Sequence, residues 1–108
     1  MAVHTTFGGL RRRAWLAKTH QWVRAADALG PQDLPPFPVD PYITNVIEIT
    51  GREGAVMVVT AAIRHCRHRL PRVPDPQVEQ ELLAAAMVEV DRACAKRQNV
   101  AIPDFLLV

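Results

Sequence analysis

Asp40-Pro41-Tyr42-Ile43-Thr44-Asn45-Val46-Ile47-Glu48-Ile49-Thr50-Gly51-Arg52-Glu53-Gly54-Ala55-Val56-Met57-Val58-Val59 is the stretch that decides the fold. It supports two readings. In the first, Asp40 caps a helix by accepting from its first free amides, and Pro41 fits the first helical position because its φ is already helical. Ile43, Val46, Ile47 and Thr50 then recur at i, i+3, i+4 and i+7, the spacing of one helical face. In the second, the same residues form a strand, because six of the eight from Ile43 to Thr50 are β-branched. Gly51-Arg52-Glu53-Gly54 would then turn a hairpin into Ala55–Val59. The helical reading gives a mainly α protein, a small bundle of three to four helices. The alternative is an α+β fold with a hairpin at 43–59.

The flanking sequence favours helices. Residues 10–29 place Trp15, Leu16, Trp22, Val23 and Ala26 within about 120° of one another on a helix, with His20, Arg24 and Asp27 opposite. Gly30-Pro31 ends that helix. Residues 31–40 follow as a proline-rich extended connector, which Leu34 and Phe37 would pin to the body. Thr50-x-x-Glu53 matches a capping box for an element over residues 51–70. Ala55 to Ile63 is apolar nearly all round, so this element is expected at the centre. Asp75-Pro76 repeats the cap-and-proline start for a helix over 75–97, whose stripe is Leu82, Leu83, Ala86, Val90, Ala93 and Cys94. Residues 1–9 read as a loose leader and 99–108 as an apolar tail that either docks on the domain's own core or binds a partner, within one helical domain spanning 1–108.

Composition excludes several classes. The chain has 108 residues, 49% of them hydrophobic, and a net charge of +2, so it is too apolar for intrinsic disorder. Two cysteines make no disulfide scaffold. No apolar run approaches the roughly 18 residues of a membrane span, so no membrane association is expected. The start lacks the charged and apolar regions of a signal peptide, which points to a cytoplasmic location with Cys66 and Cys94 reduced.

Chemistry is sparsely signalled. The chain has no serine, which removes serine-hydrolase chemistry. His65, Cys66 and His68 with Cys94 have the donor types of a zinc site, but Cys66 projects about 100° from His65 on a helix, so the set does not converge. No catalytic residue, metal or cofactor is expected. Glu89 leans toward the apolar stripe, and a salt bridge to an arginine of the first helix would explain it. Gly8-Gly9 and Gly51–Gly54 are weak candidates for phosphate cradles at helix starts.

Two functions lead, with a small enzyme as a third reading. The first is a non-enzymatic assembly subunit that oligomerises or docks into a larger complex. It rests on the apolar 55–63 segment, on the two tryptophans, and on Phe105, Leu106, Leu107 and Val108 as partner-binding residues. The second is a nucleic-acid-binding accessory protein. Eleven of the thirteen basic residues are arginine. Arg11, Arg12 and Arg13 open the first helix, and Arg64, Arg67, Arg69 and Arg72 surround the end of the central element. If those helices run antiparallel, the two clusters merge into one phosphate-binding patch.

Overall fold

A computed structural model describes residues 2–72 and 75–101, with side chains over 9–72 and 75–96. It contains three helices, α1 (Ala2–Leu29), α2 (Pro41–His68) and α3 (Pro76–Ala101). A short 3-10 turn, Pro31–Asp33, opens the connector between the first two. Among the described residues there is no strand, so the hairpin alternative at 43–59 is corrected to helix. Residues 2–9, expected as a loose leader, carry helical backbone continuous with α1, so Gly8-Gly9 does not lie at a helix start.

The helical period won over β-propensity at 43–50 because it alone sorts those residues by burial. Asp40 Oδ1 accepts from the Tyr42 amide at 2.9 Å, as the cap-and-proline pattern requires. Ile43 and Ile47, one turn apart, are buried, and Ile49 is left exposed. Propensity is a weak preference that tertiary burial overrides.

Gly51-Arg52-Glu53-Gly54 does turn the chain, but as an elbow between two helical arms of α2, residues 41–50 and 52–68. Gly51 has φ 76° and ψ −172°, a conformation open essentially to glycine alone. This non-helical residue caps the second arm, a role the sequence suggests for Thr50. The Thr50 hydroxyl instead donates back to the Val46 carbonyl at 2.7 Å. The Thr50 side chain covers Gly54 so closely that a Cβ at 54 would overlap Thr50 Oγ1 and Cβ. One glycine of the pair therefore supplies a backbone angle and the other supplies room.

The two ends of α1 fix its direction against the second arm of α2. Arg12 and Leu16 line a groove with Val58, Ala61 and His65. Farther on, Asp27 meets Arg72. Residue numbers rise together, so these two helices run parallel. α3 runs back, since Arg52 bonds to Asp91 and Arg64 to Glu79. The expected stripe of α3 packs inward, with Leu82, Ala86 and Val90 buried.

The connector is strapped onto α1. The Trp15 indole N–H donates to the Pro38 carbonyl at 2.9 Å and that of Trp22 to the Pro35 carbonyl at 2.7 Å. Phe37 is inserted edge-on against both rings, with centroids 6.1 and 4.9 Å away. Proline suits this strap, since it leaves few amide donors to satisfy and stiffens the extended backbone. Trp15, Trp22 and Phe37 join Ile43, Val59, Ile63 and Leu82 in one core.

Candidate nucleic-acid interface

The seven arginines singled out by the sequence have different fates. Arg11, Arg12 and Arg13 are exposed on the first described turns of α1. Arg11 shares a depression with Asp40 and Glu48, whereas Arg12 borders the groove that His65 also lines. Arg64 is half-exposed and 3.4 Å from Glu79. Arg72 is exposed and 3.9 Å from Asp27. Arg69 is exposed without an ion-pair partner among the described residues. Arg67 is buried: Nη2 donates to the Asp75 carbonyl at 3.0 Å and Nη1 lies 3.8 Å from Glu79 Oε1. It ties the end of α2 to the start of α3 and is not offered to solvent.

The merged patch does not form, because its condition fails. α1 and the second arm of α2 are parallel, so Arg11–Arg13 and Arg64–Arg72 are staggered along a shared seam instead of pooled at one end. What the fold does produce is segregation of charge between sides. No carboxylate occurs from residue 10 to 26 or from 54 to 72. Arg12, Arg13 and Arg24 on α1 and Arg69 after α2 have no ion-pair partner among the described residues. Exposed His65 and His68 add imidazoles to the same layer. Most acids lie elsewhere: Asp33, Asp40 and Glu48 on the connector and first arm, and Glu79, Glu81, Glu89 and Asp91 on α3; the exceptions are Asp27 near the end of α1, paired with Arg72, and Glu53 at the start of the second arm.

Arg24 is the basic residue that the sequence reading left out of the site. Its signal was the acid-free stretch around it, not a cluster. Lys18 belongs to the same acid-free stretch but is drawn to Asp40 at 3.5 Å. Glu89 pairs with Arg92 of its own helix at 3.1 Å, not with an arginine of α1.

The other candidate chemistries gain no geometry. Cys66 sits in the core while His65 and His68 point to solvent, and no set of metal-binding groups forms among the described residues. Burial pushes the Cys66 thiol above its ordinary range and the Arg69 charge only partly opposes this, the reverse of what an activated nucleophile needs. Among the described residues no helix is long and apolar enough to cross a membrane. Phe105, Leu106, Leu107 and Val108 lie outside the described residues.

The α1–α2 side is thus two parallel helices with a groove between them, bordered by Arg12 and His65; Trp15, Trp22 and Phe37 are buried and Tyr42 is half-buried in it. Comparison with protein-family models, with curated proteins and with solved structures finds no match to this chain.

Proposed function

We propose that this chain binds nucleic acid along the outer side of α1 and the second arm of α2, with duplex DNA as its ligand. The observation that carries the reading is the charge segregation: Arg12, Arg13, Arg24 and Arg69, exposed on α1 and just after α2, have no ion-pair partner among the described residues, and carboxylates are sparse along both elements. Guanidinium groups grip phosphate in a bidentate way, and each phosphate neutralised releases condensed counterions. A duplex is favoured over a single strand because single-strand binders stack bases on exposed aromatic rings, and the described rings are in the core or, for Tyr42, packed half-buried against it. The outer side of the second arm carries Gly54, Met57, Ala61, Arg64, His65 and His68, uncharged toward its start and basic toward its end. A single helix of this kind has the width that a major groove admits.

Fluorescence anisotropy with a labelled duplex tests the proposal. Binding at low salt is expected, with weaker binding to single strands of the same sequence. Arg13→Ala with Arg69→Ala should weaken it, and Glu81→Gln, on α3, should leave it nearly unchanged. Absence of binding to any nucleic acid at low salt refutes the reading.

A second reading, the assembly subunit, is supported by exposed apolar side chains. Ile49 and Met57, 74% and 73% exposed, flank the elbow of α2. Leu10, Leu29 and Val88 are exposed as well, while much of the remaining apolar surface of the described residues is covered. Ala55, Val59, Ala62 and Ile63 are buried, and both tryptophans are buried with their N–H groups bonded. Light scattering tests it: assembly predicts a mass above one chain, or a monomer that a specific protein partner captures.

A further inference from the structure

A groove among the described residues lies away from the basic face. It has a volume of about 470 Å³ and runs between the first arm of α2 and the last turns of α3. Its floor is apolar, formed by Val39, Ile47 and Ala93. Lys96 stands on its wall, exposed, with no ion-pair partner among the described residues. Glu89, Arg92 and Lys96 line it from α3 at i, i+3 and i+7, so the groove follows one side of that helix toward its end at Ala101.

Residues 102–108 continue the chain from that end as Ile102-Pro103-Asp104-Phe105-Leu106-Leu107-Val108. Pro103 opposes helix at the residue before it and cannot donate an amide, which favours a change of direction soon after α3. Lys96 lies about 7.5 Å back along the helix axis from Ala101 and Glu89 about 18 Å, at the usual helical rise. Seven extended residues reach roughly 23 Å, so a segment that turns back at Pro103 has the length to lie in the groove. The chemistry matches too. The segment is apolar at Phe105–Val108 and carries Asp104; the groove has an apolar floor and charged walls, Glu48, Glu89, Arg92 and Lys96, of which Glu89 and Arg92 pair with each other, Glu48 is engaged, and Lys96 has no ion-pair partner among the described residues.

We infer that residues 103–108 dock, within the same chain, in the groove between the first arm of α2 and the end of α3, with Asp104 paired to Lys96. Docking covers Val39, Ile47 and Ala93 and leaves the basic face of α1 and α2 untouched. The segment is then an internal brace, not a hook for a partner.

The test uses the full chain and needs no nucleic acid, so its outcome is separate from that of the binding proposal. A bimane label is placed on Thr44→Cys, an exposed position on the groove wall, in a Cys94→Ala background. Cys66 is left in place, since burial shields it from labelling. Leu107→Trp then supplies a contact-range quencher. The expected result is strong quenching on adding Leu107→Trp, the same at every protein concentration, and weaker when Lys96→Glu is added. Unchanged emission overturns the inference. Quenching that grows with protein concentration overturns it as well, by showing that the segment occupies a second copy's groove.

Discussion

Replacing Gly51 with L-alanine tests the elbow on which the whole arrangement turns. An ideal Cβ at Gly51 meets no atom within 4 Å, so the substitution brings no collision. Its whole effect is the cost of holding an L-residue at φ 76°, ψ −172°. Such a conformation costs about 1–3 kcal/mol for a residue with a side chain. Restricting the unfolded chain returns about 0.4–1 kcal/mol. The net expectation is a loss of about 1–2 kcal/mol, or roughly 4–16 °C in Tm for a domain of this size. D-Alanine at the same position gives the opposite result, since its favoured region includes these angles, and should raise stability by about 0.4–1 kcal/mol. Thermal and urea unfolding, followed by circular dichroism, measure both. A continuous, straight α2 reverses the order: L-alanine would then stabilise by about 1 kcal/mol, as alanine does over glycine inside a helix. An L-alanine variant that is more stable, with increased helical ellipticity, would refute the elbow.

Three further outcomes follow from the packing. Phe37→Ala should cost about 3–5 kcal/mol, because it empties the space between two buried indoles, and should red-shift tryptophan emission as the connector lifts; a loss under 1 kcal/mol would mean that the strap is not part of the core. Arg67→Met should destabilise by about 1–3 kcal/mol through the unmet Asp75 carbonyl, while leaving the salt dependence of DNA binding unchanged; a changed salt dependence would show that Arg67 reaches phosphate. Cys66, raised by burial, stays protonated in the folded chain at a pH where the unfolded chain has begun to ionise, near 8.5. Its contribution is complete below that pH and declines above it, so the alkaline loss of stability should shrink in Cys66→Ala; an identical alkaline limb in both proteins would rule out Cys66 as its source.

Much of the architecture was legible because local signals agreed with burial. Asp40-Pro41 and the spacing of Ile43 and Ile47 marked the start of α2, and Leu82, Ala86 and Val90 marked the inner side of α3. Gly51–Gly54 was recognisable as a turn, but its meaning was not. The same glycine serves a hairpin or a helical elbow, and the choice depends on Ile43 and Ile47 finding the core that Trp15 and Phe37 build. The direction of α1 against α2 is also non-local, and the merged arginine patch failed on that point. Arg67 illustrates the same limit. From the sequence it is one of several basic residues at a helix end, and only the returning α3 brings Asp75 and Glu79 to bury it. The apolar run of residues 55–63 was legible as central, and a helix packed between α1 and α3 buries more than one face, leaving Met57 exposed.

The salt dependence of duplex binding tests the central claim most directly. If Arg12, Arg13, Arg24 and Arg69 each neutralise one phosphate, the logarithm of the binding constant should fall against the logarithm of salt with a slope of about −4, and Arg13→Ala with Arg69→Ala should reduce its magnitude by about 2. A slope near zero, or one unchanged by removing those two arginines, would contradict the account.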